Sequence, residues 1–310
     1  MYYFGIDGGG SNSRIAAIDV NGGFIGDFKG KTTNLAANDY DTVLDNISRL
    51  VSGLCNELSI SLADCCGLCI GTAGIGSVDN IGKLERIFDV IGLKAKLTIV
   101  NDAAIVLFAA TKGKPGIAII SGTGSIGYAL DKDGNSLRSG GWGHLIDDAG
   151  SGYYIGMAAI RRALMAFDKR GHDTALMPMI MSHFGLNSMD EVLNIVYAPG
   201  FTKAKAATLA LIVSAAAENG DKAAQDIEEE AAISLSLLAS ALIKRSGLDD
   251  RPPISLSGSV IVKNPRINSR FTQEILHNYP NALIKTLDIS AELGAAHLAR
   301  ESENETFFKK

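Results

Sequence analysis

The apolar residues change period several times within the first 115 positions. Residues 4–7, 13–20 and 24–30 are short apolar-rich runs divided by glycine turns, and they predict three strands. Between residues 41 and 58 the apolar positions are Val43, Leu44, Ile47, Leu50, Val51, Leu54 and Leu58, the spacing of one helix face. A strand at 67–70, a helix at 79–90, a strand at 97–100 and a helix at 103–111 follow. The breaker cluster Lys112-Gly113-Lys114-Pro115-Gly116 then closes this block.

Beyond it the opening pattern returns. Gly5-Ile6-Asp7-Gly8-Gly9-Gly10-Ser11 leads through strand residues to the turn Asp19-Val20-Asn21-Gly22. Ile119-Ile120-Ser121-Gly122-Thr123-Gly124-Ser125 leads the same way to Asp131-Lys132-Asp133-Gly134. Each unit reads strand, glycine turn ending in Gly-Ser, strand, D-x-[ND]-G hairpin, strand, with a shift of two residues between turn and hairpin. A repeated unit is stronger evidence than either copy alone. Alanine-rich amphipathic stretches follow near 151–169, 206–217 and 223–243. Then come a strand at 254–256 running into Ser257-Gly258-Ser259-Val260, a strand at 284–287 and a closing helix at 290–300. The whole is a mixed α/β pattern.

A length of 310 residues favours two domains, and 46% hydrophobic with 20% charged residues is globular composition. The 34 glycines cluster, which points to tight turns. A net charge of −5 argues against a nucleic-acid partner. The N-terminus lacks a basic and apolar leader, and there is no run of about 18 apolar residues, so a cytoplasmic protein without a membrane span is expected. Cys55, Cys65, Cys66 and Cys69 crowd one stretch. Cys66 and Cys69 have C-x-x-C spacing, but no second pair or nearby histidine completes a tetrahedral set, and a packing role is the simpler reading.

Several constellations carry chemistry. Asp7-Gly8-Gly9-Gly10-Ser11 is either a plain glycine hairpin or a phosphate loop, with Asp7 placed for a hydrated Mg²⁺. Ser121-Gly122-Thr123-Gly124-Ser125 repeats it, and two such loops on related units could hold one polyphosphate from both sides. Asp102, at a strand–helix junction in Val100-Asn101-Asp102-Ala103, reads as an N-cap when taken alone and otherwise as a general base. Gly140-Gly141-Trp142-Gly143-His144 runs on to Asp147-Asp148-Ala149-Gly150-Ser151. It holds the only tryptophan beside two acids, which suits a sugar; the competing reading is a core tryptophan, and His144 reads as structural. Thr32-Thr33-Asn34-Leu35 offers an amide for sugar hydroxyls or a capped loop. Ser257-Gly258-Ser259 offers backbone for an adenosine or a tight βα connection.

Together these residues resemble the ASKHA superfamily and, within it, the N-acetylglucosamine kinase branch of the BadF/BadG/BcrA/BcrD-type ATPases, in matching order over nearly the whole chain. The resemblance implies two ribonuclease-H-like domains of the actin and hexokinase type, with a central nucleotide and sugar cleft. Residues 1–113 with 290–310 would form the smaller domain and 114–289 the larger. It implies ATP and Mg²⁺ as cofactors and transfer of the γ-phosphoryl group to an amino sugar, at C6. Asp102 matches the catalytic base and Asp7 the metal position. Asn34, Gly141, Trp142, Asp148 and Thr123 match the sugar contacts. Gly8, Gly9, Gly10, Ser11, Gly122, Thr123, Gly124, Ser125, Gly258 and Ser259 match the nucleotide contacts. A homodimer is the family expectation.

Two departures stand out. Leu35-Ala36-Ala37 replaces a common aromatic after the asparagine, and Asp147-Asp148-Ala149-Gly150-Ser151 replaces Gly-Asp-Glu-Gly-Ser. Smaller side chains leave room for N-acetylmuramic acid beside N-acetylglucosamine or glucosamine. The alternative within the superfamily is an activator of a 2-hydroxyacyl-CoA dehydratase carrying an iron–sulfur cluster, which the cysteine group would serve. The zinc motif of ROK-type kinases is missing.

Overall fold

The computed structural model describes residues 1–9, 12–35, 38–72, 78–287 and 289–302. They form two compact units, one combining Met1–Lys114 with the chain from Leu287 onward, the other being Pro115–Thr286.

The first unit opens with β1 (Tyr2–Gly8), β2 (Asn12–Asp19) and β3 (Phe24–Lys31), then α1 (Tyr40–Leu58), β4 (Cys65–Thr72), α2 (Val78–Val90), β5 (Lys96–Val100) and α3 (Asp102–Thr111). Its five-stranded sheet has the order β3-β2-β1-β4-β5; β1 is antiparallel to β2 and parallel to β4. The period-2 alternation of β1 sends Phe4 and Ile6 to one face, where they pack with Val43, Ile47, Leu50 and Leu54 of α1. Burying each such side chain stabilises by about 1.5–3 kcal/mol relative to exposure. Asp39 caps α1 by accepting the Thr42 N–H at 2.9 Å.

The second unit holds β6 (Gly116–Ser121), β7 (Ser125–Leu130), β8 (Ser136–Gly140), α4 (Gly152–Phe167), α5 (Leu176–Phe184), α6 (Val192–Val196), α7 (Lys203–Ala207), α8 (Leu209–Glu218), α9 (Lys222–Ser246), β9 (Pro253–Ser257), α10 (Ser259–Lys263), α11 (Pro265–Asn278) and β10 (Leu283–Thr286). Its sheet order, β10-β9-β6-β7-β8, is that of the first unit read from the other edge. Ile119 and Leu256 from the sheet share a core with Ile155 of α4, Val213 of α8, Leu235 of α9 and Phe271 of α11.

The repeat extends to single hydrogen bonds. Asp19 Oδ1 accepts the N–H groups of Asn21 and Gly23, each at 2.8 Å. Asp131 Oδ1 accepts those of Asp133 at 2.9 Å and Asn135 at 2.8 Å. The glycine turns differ, however. Their terminal strand pairs are Gly8–Ser13 and Ser121–Ser125, so register makes Ser13, rather than Ser11, the counterpart of Ser125.

The apolar stretch at 206–217 is broken at Thr208 into α7 and α8, and α5, α6 and α11 were not anticipated. The closing helix α12 (Ala291–Glu301) returns to the first unit. It lies so close on β1 that a Cβ at Gly5 would be 2.0 Å from the Ala296 nitrogen. Ala295, Ala296 and Ala299 join Tyr3, Ile18, Ile105 and Phe108 in a second core on that face. Each unit thus has the ribonuclease-H-like strand order. Among the described residues no helix is long and apolar enough to cross a membrane.

Candidate active site

The alternation that buries Phe4 against α1 turns Asp7 to the opposite face, with Asp102, Glu292 and Arg14. Burial first, then the negative charges of Glu292 and Asp102, push the Asp7 carboxyl up to about 6; Arg14 pulls the other way. Arg14 is shared, lying 3.8 Å from Glu292 and 3.7 Å from Asp27. The surplus of negative charge fits a cation at Asp7. Among the described residues no group of three His, Cys, Asp or Glu side chains could hold an ion.

The cap reading of Asp102 gives way. Asn101 is the N-cap of α3, its Oδ1 accepting the Ala103 N–H at 2.9 Å, and Asp102 is the first helical residue. Asp102 Oδ1 also accepts from Ala103 at 2.9 Å. Burial pushes the Asp102 carboxyl up, opposed by the N–H groups of Ala103 and of Asp102 itself.

The backbone at Gly8 and Gly9 is pinned by hydroxyls. Thr72 Oγ1 donates to the Gly8 carbonyl at 3.1 Å and Thr32 Oγ1 to the Gly9 carbonyl at 2.9 Å. Ser13 and Thr33 hydroxyls lie 3.0 Å apart and buried beneath it. Asn34 is buried one residue on, its N–H donating to Thr32 Oγ1 at 3.2 Å. Gly10 and Ser11, expected to contact nucleotide, lie outside the described residues, as do Ala36 and Ala37.

In the second unit the loop Gly122–Ser125 is stitched to the start of α4. The N–H of Gly152 donates to the Gly122 carbonyl at 2.8 Å and that of Tyr153 to Thr123 at 3.3 Å. The hydroxyls of Ser121 and Ser125 donate to the Gly150 and Ala149 carbonyls, each at 2.8 Å. Gly258, at φ +93°, brings the start of α10 against the same loop; a Cβ there would lie 2.3 Å from the Ser121 carbonyl oxygen, so only glycine fits.

Between these elements lies a cavity of about 380 Å³, lined by Gly122, Thr123, Gly152, Ser259, Glu228 and Asn264 among others. That volume lies within the range of about 300–1,000 Å³ usual for small-molecule sites. Glu228, from the second turn of α9, is buried there, and burial pushes its carboxyl up. It accepts from Asn264 Nδ2 at 2.5 Å and pairs with Arg266 at 3.3 Å, while Asn264 Oδ1 caps α11 through the Ile267 N–H. Mixed apolar and polar walls beside a glycine loop fit a nucleoside and its phosphates.

On the expected sugar side, Trp142 is 63% exposed, so it is not a core residue. The Arg138 guanidinium stacks 3.8 Å from its ring centroid, and Asp147 Oδ2 accepts its backbone N–H at 3.2 Å. Gly141 precedes it at φ +69°, with Ile126 where a Cβ would go. His144 packs edge-on against Tyr153 with centroids 4.8 Å apart. Asp148 is buried in a left-handed conformation at φ +61°, and Lys203 Nζ donates to its Oδ2 at 2.5 Å.

Lys203, Glu228, Asn264, Arg138 and Glu292 were missed in the sequence. Only Asn264-Pro265 carried a local signal, an N-cap followed by proline at the first helical position. Cys65 and Cys69 are buried in β4, where burial pushes the Cys65 thiol up to about 12 and the Cys69 thiol higher still, the setting of packed, protonated thiols.

The model of the BadF/BadG/BcrA/BcrD ATPase family matches residues 4–299. An N-acetylmuramic acid/N-acetylglucosamine kinase of Clostridium acetobutylicum is 35% identical over 302 residues, 96% of this chain and 98% of that protein. An N-acetyl-D-glucosamine kinase of Dictyostelium discoideum is 29% identical over 313 residues, 97% and 98% of the two chains. A crystal structure of a candidate N-acetylglucosamine kinase from Chromobacterium violaceum has the same fold, with a TM-score of 0.77, 24% identity and coverage of 97% and 99%. With nearly its whole length matched, the chain belongs to the BadF/BadG/BcrA/BcrD ATPase family.

Proposed function

We propose that this protein is an ATP-dependent amino sugar kinase in which Asp102 is the general base. The observation that carries the reading is the division of labour at the start of α3. Asn101 supplies the cap, and burial holds the Asp102 carboxyl above its ordinary range, closer to the pH at which a base must take a proton. The acceptor hydroxyl attacks the γ-phosphorus, its proton passes to Asp102, and the bond to the ADP oxygen breaks. Gly8, Gly9 and Gly122 to Ser125 are the phosphate contacts in this reading. The cavity at Ser259, Glu228 and Asn264 takes the nucleoside. Mg²⁺ beside Asp7 would neutralise phosphate charge. Asn34, Gly141, Trp142, Asp148 and Thr123 are the sugar contacts in this reading.

The acceptor is N-acetylglucosamine, with N-acetylmuramic acid accepted as well and C6 as the reacting position. Sequence likeness over almost the full length of the Clostridium kinase supports this choice. A cytoplasmic homodimer completes the reading. The test is ADP release with N-acetylglucosamine, N-acetylmuramic acid, glucosamine and glucose, with NMR of the products. Turnover of the N-acetylated sugars with a new 6-phosphate is expected. Failure with every amino sugar overturns the reading.

A further inference from the structure

Gly124 has no side chain, and a lysine fills the space. A Cβ there would lie 2.6 Å from Lys203 Nζ and 3.0 Å from Asp148 Oδ2. The Asp148 side chain is 5% exposed, whereas that of Lys203 keeps 32%. The arrangement is set by backbone on both sides. Asp148 holds a left-handed conformation at φ +61°, which costs a non-glycine residue about 1 kcal/mol or more. Lys203 opens α7, capped by Thr202, and α7 lies against α4 so closely that a Cβ at Gly156 would be 2.0 Å from the Ala206 carbonyl oxygen. The neighbouring Ala204 lines the same cavity as Gly122 and Thr123.

The geometry points to Lys203 as a further catalytic residue, whose ammonium donates to the oxygens of the transferring phosphoryl group at the second glycine loop, while Asp148 holds it in place. This rests on reading Gly122–Ser125 as a phosphate loop. One of the three ammonium donors goes to Asp148. In the transition state, charge spreads over three equatorial phosphoryl oxygens, and a preorganised cation acts on charge as it develops. Lys203 keeps its protons throughout; the proton of the acceptor hydroxyl goes to Asp102. The bland alternative is a structural ion pair that only neutralises a buried carboxylate.

Steady-state kinetics, AMP-PNP binding and thermal melting of the wild type and four variants separate these readings. Lys203→Met lowers kcat about 100-fold or more with every amino sugar that the wild type accepts, leaving AMP-PNP affinity and melting temperature little changed. Lys203→Arg recovers part of the loss. Gly124→Ala, whose Cβ meets only the ends of side chains, keeps the fold and lowers kcat by displacing the ammonium. Unchanged kcat in Lys203→Met beside an active wild type overturns the role of the lysine alone. A defect confined to KM for N-acetylmuramic acid also overturns it, since the ammonium would then read the acceptor carboxylate. So does a joint loss of melting temperature and AMP-PNP binding that Asp148→Asn restores in the double variant. A wild type that releases no ADP with any amino sugar overturns the kinase reading and this role together.

Discussion

Asn101 and Asp102 share one amide: both Oδ1 atoms accept the Ala103 N–H at 2.9 Å, but only Asn101 has the extended backbone of a cap, at φ −63° and ψ 147°. Asp102 is therefore dispensable for starting the helix, and the two substitutions should part company. Asp102→Asn is expected to lower kcat about 1,000-fold, within the range for general-base loss, with melting temperature and nucleotide affinity near wild type. Asn101→Ala is expected to lose about 1 kcal/mol of stability and comparatively little activity per folded molecule. Equal kcat losses with equal melting shifts would show that Asp102 acts only through the helix.

The Asp7 carboxyl predicts a pH dependence of the metal-free protein. Its proton is held more tightly folded, at about 6, than at the ordinary 3.8. This contribution to stability is therefore full below 3.8 and lost as pH rises through about 6. Asp7→Asn is expected to be more stable than wild type at neutral pH by on the order of 2 kcal/mol, allowing for partial exposure. The difference should vanish near pH 4, and urea titrations at several pH values measure it. The same variant is expected to lose Mg²⁺-dependent turnover. A wild-type advantage at neutral pH would contradict the assigned burial.

Trp142 presents one face to Arg138 and is otherwise exposed, so its removal leaves no core cavity. Trp142→Ala is expected to raise KM for the amino sugar about tenfold, near 1.4 kcal/mol, with KM for ATP and melting temperature little affected. Arg138→Gln should give a smaller effect of the same kind, because the indole loses the cation that orients it. A loss falling on ATP instead would place Trp142 elsewhere in the reaction.

Glu228 ties α9 to the Asn264 cap of α11 and lines the cavity proposed for the nucleoside. Glu228→Ala strips Asn264 of one of its two acceptors, leaving the Ser214 hydroxyl at 3.3 Å, and removes the partner of Arg266. It is expected to weaken AMP-PNP binding about tenfold or more, near 1.4 kcal/mol, and to lower the melting temperature. Glu228→Gln keeps the shape and should recover stability before affinity. Calorimetry with AMP-PNP decides; unchanged affinity in both variants would move the nucleoside out of this cavity.

The parts of the candidate site legible in sequence were those made by consecutive residues. Two glycine turns after apolar strands, an acid between a strand and a helix, and a glycine-flanked tryptophan each lie within about ten positions. Lys203 was not legible, because its partners Asp148 and Gly124 lie far away along the chain and nothing in Thr202-Lys203-Ala204 marks it. Glu228 read as one more polar position on a long helix. α11 went unnoticed because Ile267, Phe271 and Ile275 are its only fully buried side chains.

By itself, then, the sequence determined the strands, the helices α1 to α4, α9 and α12, and the duplicated unit, since period and turn chemistry are local properties of a chain. Tertiary structure decided the electrostatics. Asp7 acquires its raised carboxyl from burial, Glu292 and Asp102, which distant segments supply. The partnering of Lys203 with Asp148 likewise depends on α7 docking against α4. Charge and burial depend on neighbours in space, and those neighbours exist only once the chain has folded.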